Sequence, residues 1–130
     1  MTTTTIKRRK QRALYIPADK EMIKALKWAV CKLYEISEED FMNDPGWAIA
    51  GLRFNCFWLL SQNSGLKDYE IGAAFGKCRR TANYGIDQVD SQRHVYKSVS
   101  SSLKAIIAEA NEFPNKKFQW HLQSISITPS

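Results

Sequence analysis

With 130 residues, 44% hydrophobic and 25% charged, the chain has material for one self-supporting core and no second domain, and is too apolar to be wholly disordered. Its net charge is +6, but Lys7, Arg8, Arg9, Lys10 and Arg12 stand within six residues, so the body beyond them is close to neutral and not a general basic surface. Three cysteines without a CxxC pair, no apolar run of membrane-spanning length and no apolar segment behind the N-terminal charges argue against a disulfide scaffold, a membrane span and a signal peptide; the expected location is cytoplasmic.

In chain order, residues 1–16 are threonine-rich and then basic, with no periodic apolar face, and are expected to be a disordered arm. Its cations, Lys7, Arg8, Arg9, Lys10 and Arg12, either follow a nucleic-acid backbone or minor groove or serve as a solubilising tail. A helical domain is expected over 17–113. After Pro17, Asp19 is placed to cap a helix whose stripe is Met22, Ile23, Leu26, Ala29, Val30 and Leu33, with Lys20, Lys24, Lys27 and Glu35 facing water. Ser37 before Glu38, Glu39 and Asp40 has the form of a helix start, giving a short helix to about Met42. These acids have no histidine near them, so no metal or acid–base role is assigned.

The turn at Asn43 to Gly46 leads to a helix from Trp47 or Ala48 to about Ser61. Apolar residues cover nearly every direction of it, as on a buried central helix. Arg53 is its one charge, and must reach the surface, pair with a carboxylate or meet a phosphate. Cys31 and Cys56 lie among apolar residues as core thiols, whereas Cys78 sits beside arginines that favour its thiolate.

Leu66 to Val89 reads as two short helices joined by a tight turn. Asp68 is the expected cap of the first, with Ile71, Ala74 and Phe75 on its apolar face and Gly76 as its stop. The second begins near Cys78 and buries Ala82, Ile86 and Val89. Lys77, Arg79 and Arg80 fall at or before its first turn, where the helix macrodipole disfavours cations by roughly 0.3–1 kcal/mol each. No acid stands three or four residues from Arg79. An external anion explains the cluster, and arginines with Thr81, Asn83 and Tyr84 at a helix front are suited to phosphates and base edges of a DNA major groove. The alternative is a solvated helix start.

Beyond Val89, a closing helix is expected from Val95 to Ala110, interrupted at Ser100 to Ser102 and ended before Pro114. Residues 114–130 form an extension whose loose alternation at Phe118, Trp120, Leu122, Ile125 and Ile127 suits a strip laid over the core or a homodimer or protein-partner contact. Neither His94 nor His121 has ligand or triad company. With no nucleophile–base pair, metal cluster or phosphate loop, no enzyme activity, catalytic residue, metal or cofactor is assigned.

Glu70, Ile71, Gly72, Phe75 and Gly76, followed at fixed spacing by Arg79, Arg80, Thr81 and Ala82, resemble the Glu-Ile-Gly-x-x-Phe-Gly and downstream Asp-His-Thr-Thr elements of the C-terminal DNA-binding domain of the bacterial replication initiator DnaA, of the Trp-repressor-like all-α class. Arg53 resembles the arginine opening that family's central helix, and Ile36, Ser37, Glu39 and Asp40 resemble its Val-Ser-x-x-Asp lead-in. The resemblance covers roughly residues 18–107. It implies an all-α, compact multi-helix domain around a buried central helix, containing a helix-turn-helix that binds double-stranded DNA; on the reading of the cations given above, Lys77 and Arg53 are expected on the backbone. The base-reading Asp-His pair is replaced by Arg79 and Arg80, the basic loop before the central helix by the cation-free Asn43 to Trp47, and the ATPase phosphate loop is missing. The expected function is therefore that of an isolated DNA-binding module, a regulator or replication accessory of a bacterial mobile element; the alternative is a protein-interaction adaptor that kept the fold and lost DNA binding.

Overall fold

In the computed structural model, residues 3–114, 118 and 120 are described, with side chains from Asp19 onward. Among the described residues there are six helices and no strand: α1 (Thr3–Tyr34), α2 (Glu38–Asn43), α3 (Trp47–Asn63), α4 (Asp68–Ala74), α5 (Arg79–Gln92) and α6 (Lys97–Ala110). The fold is all-α and compact, as expected. No helix among the described residues is long and apolar enough to cross a membrane. The side chains of the basic arm, Lys7, Arg8, Arg9, Lys10 and Arg12, lie outside the described residues.

The buried stripe of α1 is Met22, Ala25, Leu26, Ala29 and Val30, and it packs on α6 and α3. Three expectations for this helix need correction. Asp19 is an interior residue of α1 and not its cap; it is 6% exposed, and its carboxylate takes a backbone hydrogen bond from Gly65 in the α3–α4 loop. Leu33 is 36% exposed, because it falls in the last turn of the helix and leaves the stripe that ends at Val30. Lys27 does not face water. Its Nζ donates to the carbonyl of Ala74 at 3.0 Å and lies 5.1 Å from the centre of the Phe75 ring, so a cation from α1 caps the C-terminal end of α4, where the helix dipole favours it. Glu35 then turns the chain with φ 55°, and Ile36 N–H closes back on Cys31 C=O at 3.0 Å.

Burial raises the pKa of Asp19 above its ordinary value, Gly65 opposing this and the charge of Glu70 adding to it. A carboxyl whose folded pKa is raised disfavours the fold once ionised, and that penalty is lifted as the pH falls back through the raised pKa. Asp19→Asn, which keeps an oxygen for Gly65, is therefore expected to melt above the parent chain at pH 7. The two melting temperatures should converge towards acid pH.

Ser37 caps α2 through its Oγ, which accepts from Asp40 N–H at 3.1 Å. In α3 the run Cys56, Phe57, Trp58, Leu59 and Leu60 is fully buried, so α3 is the central post on which α4, α5 and α6 converge. Burial pushes the Cys56 thiol well above its ordinary pKa, as for a core thiol. α6 runs unbroken through Ser100 to Ser102. Ser100 Oγ bonds back to Lys97 C=O at 3.1 Å, and Leu103, Ile106, Ile107 and Ala110 hold the buried side. Trp120 is 2% exposed, with its N–H on Asn111 Oδ1 at 3.4 Å and its ring edge-on to Phe118. The extension thus joins the core at that point, and the homodimer or partner contact expected of Leu122, Ile125 and Ile127 lies outside the described residues.

Candidate nucleic-acid interface

The close fit of α4 and α5 begins at Gly72. A Cβ there would lie 2.8 Å from Lys77 C=O and 2.9 Å from Cys78 C=O, so the chain between the helices passes directly over the glycine. Lys77 N–H bonds to Gly72 C=O at 2.8 Å, and Gly76, with φ +69°, supplies the left-handed residue that lets the turn close. α4 is entered at Lys67, whose N–H is met by Glu70 Oε1 at 2.8 Å; Asp68, expected as the cap, is instead the first residue of the helix.

That shift of one residue gives Asp68 a different task. Its Oδ2 accepts from Asn83 Nδ2 at 2.8 Å and lies 3.4 Å from Arg79 Nε. Arg79 therefore has an acid partner, reached across the turn and not along its own helix. The pair is open to water, Arg79 being 71% exposed, and such exposed pairs contribute only about 0–1 kcal/mol. Arg79 is positioned by Asp68 without being shielded.

α5 buries Ala82, Gly85 and Val89 against α3 and α4. Gly85 was not legible as a packing residue: a Cβ there would come within 2.5 Å of the Phe54 ring, so this glycine sets how closely α5 sits on α3. At 3.6 residues per turn, the side opposite these three carries Arg80 and Asp87, flanked by Asn83 towards α4 and Tyr84 on the other edge. All four are exposed. No described carboxylate pairs with Arg80 or Lys77. Arg79, Arg80, Asn83 and Cys78 line one open concavity at the front of α5.

Thr81 is turned partly inward, with Oγ1 3.4 Å from Cys78 Sγ, and this bond lowers the Cys78 pKa below its ordinary value. Tyr84 stands 54% exposed with its ring edge-on to Phe54 at 5.7 Å. Farther along, Asp90 is drawn back towards the core: its Oδ1 accepts from Trp58 Nε1 at 3.2 Å and pairs with Arg93, whose guanidinium covers the Trp58 ring at 4.8 Å.

Arg53 is a correction. It is 5% exposed, and its Nη1 donates to Phe41 C=O at 2.7 Å, closing the C-terminal end of α2. Desolvation lowers its pKa, against the favourable charge of Asp44. A guanidinium buried in this way fastens α2 to α3 and is not available to a DNA backbone.

Among the described residues no group of three His, Cys, Asp or Glu side chains is arranged to hold a metal ion. Together the fold and this surface define an all-helical domain in which two consecutive short helices, α4 and α5, present a cationic, amide- and phenol-bearing front. No family model matches the chain, and no curated protein or solved structure matches it either.

Proposed function

We propose that the chain is a double-stranded DNA-binding protein whose α5 enters the major groove by its first turns. One observation carries this reading: Lys77, Arg79 and Arg80 gather at the positive end of α5, a placement that costs local stability, and only Arg79 has a described acid partner, in an exposed pair. Arg79 and Arg80 read guanine edges or clamp phosphates, Asn83 and Tyr84 support base or phosphate contacts, Thr81 steadies the front turn, and Lys77 meets the backbone. The similarity to the DnaA C-terminal domain supports the same docking, without its recognition sequence, since Arg79 and Arg80 replace the base-reading pair. In this reading the protein works in the cytoplasm as a regulator or replication accessory of a bacterial mobile element.

Selection of bound duplexes from a random pool at two salt concentrations tests the proposal. With the arm and the α5 front neutralising about six phosphates, log affinity is expected to fall with log salt at a slope of roughly −5. Failure to retain any duplex at low salt would end it. An adaptor that binds protein instead of DNA is favoured by a different observation, the exposure of Trp47 (92%), Val95 (71%) and Tyr96 (55%).

A further inference from the structure

A cavity of about 310 Å³ opens where the first turns of α3, the middle of α5 and the start of α6 meet. Its volume is at the lower end of the range for small-molecule sites, and no charged residue lines it. Three aromatic residues border it, Trp47, Phe54 and Tyr84. Tyr84 is fixed by its edge-on contact with Phe54, and Trp47 projects from the first position of α3 with its indole almost wholly in solvent. Amides supply polar edges: Gln88 and Gln92 both line it, and Gln92 Nε2 donates to Gln88 Oε1 at 2.9 Å, which leaves the Gln88 amino group and the Gln92 carbonyl without a partner among the described residues. Arg80 stands one helical turn before Tyr84 on the exposed side of α5.

Rings, amides and a neighbouring unpaired guanidinium are the three things a nucleotide asks of a protein: a surface for its base to stack on, partners for its polar edge, and a cation for its phosphate. We infer that this groove receives one unpaired nucleobase, stacked on Trp47 and Tyr84, with the adjoining phosphate on Arg80. The inference rests on the DNA-binding reading of α5 and narrows its substrate class to duplexes carrying an unpaired or frayed base. Charge complementarity favours this occupant over a protein: the neutral base enters the uncharged groove while its phosphate falls towards the cationic front of the same helix. The space is also of small-molecule size, not that of a helix-binding trough.

The test compares a fully paired duplex with the same duplex carrying one central unpaired thymine, using the whole chain and Trp47→Ala. The parent chain is expected to bind the interrupted duplex about tenfold more tightly than the paired one. In Trp47→Ala that advantage should disappear while affinity for the paired duplex is kept. Tryptophan emission should be quenched by the interrupted duplex and not by the paired one. Equal affinities in the parent chain, or an advantage that survives Trp47→Ala, would overturn the groove inference and leave the α5 reading standing; failure to bind either duplex would overturn both. A Trp47→Ala variant that turns a dimer into a monomer in sedimentation, with no preference for the interrupted duplex in the parent, would assign the groove to a second copy of the chain and overturn the inference.

Discussion

Replacing Arg79 and Arg80 together by alanine is expected to weaken duplex binding by at least about thirtyfold, each arginine being worth about 1–3 kcal/mol if it reads a guanine edge. The salt dependence should flatten by up to about 2 in slope if both groups release phosphate counterions, at about 0.9 per contact. Stability should move the other way or not at all. Both side chains are exposed, the Arg79–Asp68 pair is open to water, and removing two cations from the positive end of α5 relieves an unfavourable interaction with the helix dipole. A variant that melts no lower than its parent yet loses affinity separates binding from folding. Unchanged affinity and slope would remove the proposed function.

The two arginines should not contribute alike. Arg80 points away from the buried side of α5 and has no described acid partner, whereas Arg79 is drawn towards α4 by Asp68, which also holds Asn83. Asp68 thus orders one edge of the front turn at the expense of part of its charge. Asp87 lies two turns beyond Arg80 on the same outward side, so a helix inserted along its full length would bring a carboxylate to the phosphates. Only the first turns have the charge for close approach.

The elements readable from the residues were those whose signal is local. The α2 start was legible because Ser37 and the acids after it sit within one turn, the α4 stop because Gly76 has the left-handed φ that other residues avoid, and α3 because an apolar surface on all sides has nowhere to go but the core. What was not legible depended on partners distant in sequence. Lys27 looked like a solvated lysine on one helix face until Ala74 C=O, 47 residues away, gave it a partner; Arg53 looked like a cation that must reach the surface, pair with a carboxylate or meet a phosphate until Phe41 C=O was placed against it. Arg79 has no acid three or four residues along its own helix, yet the turn brings Asp68 beside it. The groove between Trp47 and Tyr84 is assembled from three helices, and no single segment announces it. Gly85 carries the same lesson in reverse: its missing side chain matters only because Phe54 occupies the space.

Gly72→Ala should disturb the interface more than its size suggests. In a helix alanine is ordinarily favoured over glycine by up to about 1 kcal/mol, but here the new methyl meets two backbone carbonyls, Lys77 C=O at 2.8 Å and Cys78 C=O at 2.9 Å, which cannot rotate aside as a side chain would. The turn must lift, at an overpacking cost of about 1–3 kcal/mol, and the bond from Lys77 N–H to Gly72 C=O is strained with it. A net loss of about 1–2 kcal/mol is expected in denaturant unfolding. Gly51→Ala supplies the opposite case within the same fold: nothing lies within 4 Å of its Cβ position in α3, so the same change should stabilise by up to about 1 kcal/mol. Because the Gly72 turn also sets where Lys77, Arg79 and Arg80 stand relative to Asp68, Gly72→Ala should lower affinity for a fully paired duplex even at temperatures where it is fully folded, while Gly51→Ala, which lies on the groove beside Trp47 and not on the α5 front, should leave affinity for a fully paired duplex unchanged. Equal and small effects of the two substitutions on both stability and affinity would mean that the α4–α5 turn is not held by the close approach at Gly72, and that the position of the arginines does not depend on it.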